Sequence, residues 1–232
     1  MNLFYAPLTS ISGNTITLKG QESKHASKAL RLKTGDEIFI TDGSGHLYRC
    51  EVESISKSDL TATVLEKKFE ERKSPWINLM VGVLRKKDRL EFAIEKAVEL
   101  GADKLILYKG DHSEKHNVRE DRLLNTAISA MKQSLRVYLP EIEYSKSLNE
   151  GLKSIEDIGR LVVADETKNH GDDLKSKQDT YTLIVGPEGG FSENERRLLS
   201  EKQAIAYSLG EKRLRTETAA MIITERFKSG LT

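Results

Sequence analysis

Through residues 1–66 the apolar positions come in short alternating or clustered runs rich in β-branched residues, at 15–18, 37–41, 47–52 and 60–65. Each run has the length and pattern of a strand. Ser12-Gly13-Asn14, Thr34-Gly35-Asp36 and Asp42-Gly43-Ser44-Gly45 separate them as turns. Short strands with such punctuation predict a small barrel or sandwich. One helical piece interrupts them, from about Ser23 to Leu32. On it Lys24, Lys28 and Arg31 recur at i, i+4 and i+7 and share a face, while Ala29 and Leu32 can turn to the core.

Residues 66–75 are charged and end at Pro75, the composition of a linker. This predicts one domain over residues 1–72 and a second over 73–232. From Trp76 the pattern changes. Residues 77–84 read as a buried strand, and 88–100 as a helix with Leu90, Ala93, Ile94, Ala97 and Val98 on one face and Gly101 just past its end. A short strand follows at 104–107, then a long helical stretch over 120–139 stopped by Pro140. Strands at 161–164 and 181–185 are apolar throughout. A helix at 192–202, a strand at 206–209 and a helix at 216–228 closed by Gly230 complete the chain. Strands apolar on both faces, alternating with helices, predict a parallel α/β sheet covered by helices.

Composition narrows the function classes. With 232 residues, 38% of them hydrophobic, the chain can bury one large core or two modest ones. Lys plus Arg number 37 against 36 Asp plus Glu, a net charge of +1. That excludes a polycation coating nucleic acid wholesale but leaves local basic faces open. Cys50 is the single cysteine, so there is neither an intramolecular disulfide nor a multi-cysteine zinc site, and a reducing, cytoplasmic compartment is expected. The first residues lack the basic and long apolar regions of a signal peptide. No apolar run approaches the ~18–20 residues that span a bilayer. Neither a membrane nor a metal is an expected partner.

The strongest local signal is Val185-Gly186-Pro187-Glu188-Gly189-Gly190-Phe191-Ser192, between an apolar strand and a helix. Its glycines let backbone approach a ligand closely, and Pro187 stiffens the loop. Ser192 and Glu195 have capping-box spacing, so the helix starts right after it. In open parallel sheets ligands bind beyond the carboxyl ends of strands, where this loop lies. It is neither a P-loop nor a dinucleotide fingerprint, and the same residues also suit a plain strand-to-helix turn. The second signal, Leu209-Gly210-Glu211-Lys212-Arg213-Leu214-Arg215-Thr216-Glu217-Thr218-Ala219-Ala220, runs from a strand through a basic turn into the last helix. Glu217 suits the helix dipole and Arg215 is placed to meet an anion. A solvated basic turn is the plainer reading of that segment.

Together the two motifs resemble the ribosomal RNA small subunit methyltransferase E family, the 16S ribosomal RNA uridine N3-methyltransferases of the SPOUT superfamily. Further stretches are similar to it: Glu95-Lys96-Ala97-Val98-Glu99-Leu100-Gly101, then Gln133-Ser134 with Arg136 and Pro140. In the first domain, His25, Leu30-Arg31-Leu32 and Gly35-Asp36 resemble its PUA-like RNA-binding module. The resemblance covers most of the chain. Two departures stand out. Asp111-His112-Ser113 puts histidine where the family usually has arginine, and Leu107 stands at a usual proline.

The resemblance implies an α/β-knotted SPOUT methyltransferase domain preceded by a PUA-like β-barrel. It implies S-adenosylmethionine as cofactor, held by three loops. Carried over by position, these contribute Ala164 and the loop after it, then Gly186, Pro187, Glu188, Gly189 and Gly190, then Leu209, Gly210, Leu214 and Arg215. It implies 16S ribosomal RNA within the small subunit as substrate, and a homodimer. Uridine N3 is a poor nucleophile until it loses its proton, so the site needs a base or cations that stabilise the anion as it forms. Arg215 is the first candidate for that cation and Arg136 the second. Glu188 and Glu217 are each either proton acceptors or structural caps. Lys24, Lys28 and Arg31, with Lys86, Lys87 and Arg89 at a helix start, are the expected RNA contacts, or else a solvated face. The competing class is a non-catalytic RNA-binding protein on the same scaffold. A phosphate-binding hydrolase is remote, because both a P-loop lysine and a Gly-x-Ser-x-Gly elbow are missing.

Overall fold

The computed structural model describes residues 2–113, 118–165 and 178–230. The chain divides into two compact units. One comprises Met1–Arg72 together with Met131–Leu139, and the other comprises Lys73–Ala130 and Pro140–Thr232.

In the first unit, strands β1 (Leu3–Tyr5), β2 (Ile11–Ser12), β3 (Thr15–Lys19), β4 (Glu37–Thr41), β5 (His46–Ile55) and β6 (Asp59–Phe69) form one sheet in the order β1-β4-β5-β6-β3-β2. Only the β1–β4 pair is parallel. Two register shifts in β5, at Arg49/Cys50 and Val52/Ser54, bend it along the sheet. Alternate residues Ile38 and Ile40, Tyr48, Cys50 and Val52, and Leu60 and Ala62 point into the core with Phe4, Ile16 and Leu18. β6 continues to Phe69, so the first half of the expected linker is strand.

The helix expected from Ser23 to Leu32 is shorter and less regular. α1 (Gly20–Lys24) passes into a π-helical turn, His25–Ala29. Arg31 lies beyond it with φ 53°, in the left-handed region. The wider π turn breaks the i, i+4, i+7 register. Lys24 and Lys28 therefore stay exposed on the helical piece, while Arg31 is exposed on the turn after it.

Met131–Leu139 is built into this unit. Val137 O accepts from Gly45 N at 3.0 Å and from Thr41 Oγ1 at 3.2 Å, Leu139 N donates to Gly43 O at 2.9 Å, and Tyr138 Oη donates to Glu70 O at 2.6 Å. Lys132 pairs with Glu22 of α1. The long helix expected over 120–139 accordingly stops early, as α3 (Glu120–Gln133), with Leu135 at φ 57° turning the chain out of it.

The second unit is a six-stranded parallel sheet in the order β12-β10-β11-β7-β8-β9. Its strands are β7 (Trp76–Gly82), β8 (Lys104–Tyr108), β9 (Glu141–Ser145), β10 (Arg160–Ala164), β11 (Thr180–Val185) and β12 (Ile205–Tyr207). β11 is buried at every position, as a central strand between two helical layers must be. On one side Met80, Ile106, Val163 and Ile184 pack against Leu148 and Leu152 of α4 (Leu148–Lys153) and Leu199 of α5 (Glu193–Glu201). α6 (Thr216–Ser229) packs on β7 and β11 and against α2 (Lys87–Leu100). α2 ends at Gly101, whose φ of 90° makes the left-handed cap that glycine accepts without strain. Among the described residues no helix is long and apolar enough to cross a membrane.

Candidate active site

Beyond the carboxyl ends of β10, β11 and β12 the second unit encloses a pocket of about 410 Å³. That volume lies within the range of small-molecule sites, roughly 300–1,000 Å³. Three segments build it, and each leaves the end of a strand.

Ala164 and Asp165 come first. Asp165 N donates to Tyr207 O at 3.1 Å, which fixes the start of the loop against β12. The Asp165 carboxylate, little exposed, accepts from Arg196 Nη1 of α5 at 3.0 Å. Residues 166–177 of this loop lie outside the described residues.

The second segment supplies Gly186, Pro187, Glu188, Gly190 and Phe191. Gly190 N donates to Pro187 O at 2.9 Å, closing a tight turn, and Gly190 takes φ 72°. The helix behind it starts as the motif predicts. Ser192 Oγ accepts from Glu195 N at 3.2 Å, while Glu195 Oε2 accepts from Ser192 N at 2.9 Å. Gly82, at the end of β7, lets the backbone of Pro187 occupy the space that a side chain would need.

The third segment supplies Leu209, Gly210, Lys212, Arg213, Leu214, Arg215 and Thr216, with Ala219 one turn along α6. Thr216 Oγ1 donates to Gly186 O at 3.0 Å and ties this segment to the second. Nothing lies within 4 Å of where a side chain would start at Gly190 or Gly210, so bare backbone borders open space at both.

Arg89 joins the wall from α2. Its Nη1 donates to Glu188 Oε1 at 3.1 Å, and its Nε lies 3.5 Å from Glu217 Oε1. Glu188 Oε2 also accepts from Arg85 N at 3.0 Å. Glu217 is only 7% exposed, and its Oε2 is enclosed without a hydrogen-bond partner among the described residues. Arg215, the residue before α6, is exposed at the pocket and has no carboxylate partner among the described residues.

Most of the expected cofactor residues therefore converge on one pocket: Ala164, Gly186, Pro187, Glu188, Gly190, Leu209, Gly210, Leu214 and Arg215. Gly189 belongs to the turn without lining the pocket, and its α-carbon faces His112. Arg136 lies in the segment built into the first unit and does not line the pocket either. Lys86 and Lys87 are exposed at the start of α2, but Arg89 one turn on is drawn into the carboxylate cluster. Asp165 falls in the expected loop after Ala164, whereas Phe191 and Arg196 are not among the expected cofactor residues. Asp165 directly follows an apolar strand, which was the available signal. Among the described residues no group of three or more His, Cys, Asp or Glu is placed to hold a metal ion.

The profile of an RNA methyltransferase domain matches residues 71–228, about two thirds of the chain, and that of an RNA methyltransferase PUA domain matches residues 18–65.

The chain belongs to the RNA methyltransferase family.

Among members of this RNA methyltransferase family, the chain is similar to proteins named ribosomal RNA small subunit methyltransferase E. It is 31% identical to the one from Mycobacterium bovis over 232 residues, covering 95% of this chain and 88% of that one. It is 29% identical to the one from Bacillus subtilis over 222 residues, covering 89% and 87%. The crystal structure of ribosomal RNA small subunit methyltransferase E from Neisseria gonorrhoeae bound to S-adenosyl methionine superposes with a TM-score of 0.87 at 25% identity, covering 99% of this chain and 97% of that one. The expected fold, a PUA-like unit followed by an α/β methyltransferase unit, is borne out.

Proposed function

We propose that this RNA methyltransferase transfers a methyl group from S-adenosylmethionine to N3 of a uridine in the 16S ribosomal RNA of the small subunit. The observation that carries this reading is the pocket beyond β10, β11 and β12, lined by the two motifs of the resemblance and set in a chain of this family.

The residues present fit the donor. Val185, Leu209 and Leu214 offer apolar walls for an adenine, and open backbone at Gly190 and Gly210 offers close approach. Glu188 and Asp165 also line it, each already paired with an arginine, Arg89 and Arg196. When bound, S-adenosylmethionine supplies a methyl carbon made electrophilic by its sulfonium. The chain's own contribution is placement and charge. Arg215, without a carboxylate partner among the described residues, is placed to stabilise the uridine anion as N3 loses its proton. Arg89 does not take that part, because it already stands between Glu188 and Glu217. Glu188 has both oxygens engaged, so it fixes the turn rather than accepting the proton. Glu217 is enclosed and acts on Arg89. Arg136 stays a second proposed cation, tested by the turnover of Arg136→Ala.

RNA is gripped by Lys24, Lys28 and Arg31 of the first unit and by Lys86 and Lys87, all exposed. The rest of the reading rests on the family resemblance: a knotted crossing around the pocket loops, a homodimer, and work in the cytoplasm. Small subunits from a strain lacking the modification are the test substrate. The protein and S-adenosylmethionine should produce N3-methyluridine, located by mass spectrometry of nuclease digests. Folded protein that binds the RNA yet transfers no methyl group would establish the non-catalytic reading instead.

A further inference from the structure

Residues 110–113 touch the glycine turn and the helix cap behind it at four places. A Cβ at Gly110 would lie 3.0 Å from Pro187 Cγ, so the two residues pack closely. Asp111 N donates to Glu195 Oε1 at 3.2 Å, and Asp111 Oδ2 accepts from Ser192 Oγ at 2.5 Å. His112 Nδ1 lies 3.1 Å from Gly189 O. A carbonyl only accepts, so that contact needs the proton on Nδ1. Ser113 Oγ accepts from Gly110 N at 3.1 Å and donates to Val83 O at 3.2 Å, anchoring the loop just past β7.

Gly189 explains itself only through this loop. Its φ is not in the left-handed region, so the backbone there does not demand glycine. A Cβ at 189 would instead sit 2.8 Å from His112 Cβ and 3.1 Å from His112 O. The missing side chain makes room for His112, not for anything in the pocket. The turn is thus held from two directions, by Arg85 and Arg89 through Glu188 and by His112 through Gly189.

We propose that His112 is a positioning residue for the cofactor turn: from outside the pocket it fixes the Gly189 carbonyl, and Asp111 fixes the helix cap beside it. The inference rests on the S-adenosylmethionine reading above.

Calorimetric titration of the full chain with S-adenosylmethionine tests it. His112→Ala should weaken binding about threefold to fivefold, the worth of one exposed hydrogen bond, with kcat at saturating donor changed less than twofold. His112→Asn keeps an N–H near Nδ1 and should restore affinity to within about twofold. Gly189→Ala should weaken binding more strongly through the clash, and Gly189→Ala with His112→Gly should recover much of that loss. Unchanged affinity in His112→Ala, equal losses in the Ala and Asn variants, or no recovery in the double variant each overturn the proposal. Should the wild-type chain not bind the donor at all, the functional reading falls and takes this inference with it. Thermal unfolding of each variant confirms that the comparison is among folded proteins.

Discussion

The guanidinium of Arg89 stands 3.1 Å from the carboxylate of Glu188. The contact joins the first turn of α2 to the glycine turn, and Glu217 approaches the same guanidinium from the start of α6. A positive charge thereby holds together two carboxylates that would otherwise repel.

Replacing that charge should loosen the pocket. Arg89→Met leaves the nearly enclosed Glu217 carboxylate without its cation, and the second unit should lose about 1–2 kcal/mol. Donor affinity should fall about tenfold, because Glu188 loses one of its two ties; the fold-change follows from about 1.4 kcal/mol. Arg89→Lys keeps the charge but not the fork and should fall between. Urea unfolding and calorimetry measure the two effects. Wild-type affinity in Arg89→Met would show that the bridge does not hold the turn.

Arg215 carries the opposite expectation. It lines the pocket without a carboxylate partner among the described residues, so its removal should act on the reaction rather than on the fold. Arg215→Ala should lower kcat about 100-fold or more, the usual cost of a lost transition-state charge partner, with donor affinity changed only a few-fold. Single-turnover methylation of small subunits reads this directly. A surviving rate would move the stabilising role elsewhere.

The first unit should respond to acid through Asp42. Burial pushes its carboxyl up. Hydrogen bonds from Ser44 and Tyr48 and the charge of His46 outweigh that and hold it below the usual carboxylate range. A depressed folded-state value stabilises the unit fully above the unfolded pKa of about 3.9, and that stability is lost as pH falls through the folded value. Asp42→Asn should flatten the acid limb of the unfolding curve and cost about 1–3 kcal/mol at neutral pH. An unaltered acid limb in that variant would rule Asp42 out as its source.

Cys50 should be chemically silent. Its side chain is buried in β5 and burial pushes the thiol up to about 12, so almost no thiolate exists at pH 8. A thiol reagent added to the native chain should label it only as fast as the first unit opens. Rapid stoichiometric labelling without denaturant would contradict this burial.

Much of the second unit was legible because its strands are apolar throughout and its helices carry their own punctuation. Ser192 with Glu195, Gly101 and Gly230 mark helix ends by chemistry that acts locally. β9 was not legible, since Glu141-Ile142-Glu143-Tyr144-Ser145 reads as a polar edge and becomes a strand by pairing with β8. The early end of α3 was hidden for a similar reason. Residues 134–139 keep a helical composition but are claimed by hydrogen bonds to residues nearly a hundred positions away. In the site, Gly186 and Arg215 announced themselves by motif. Asp165, Arg89 and His112 depend on which strand ends lie side by side, which periodicity does not reveal.

The segment Met131–Leu139 has one more implication. A gene fragment stopping at residue 72 would leave Thr41, Gly43 and Gly45 facing water where Val137 and Leu139 belong. A fragment starting at residue 73 would carry that piece with nowhere to dock it. Neither half is a modular cassette that can be swapped intact into another protein, and exchange between relatives must move a discontinuous stretch of chain.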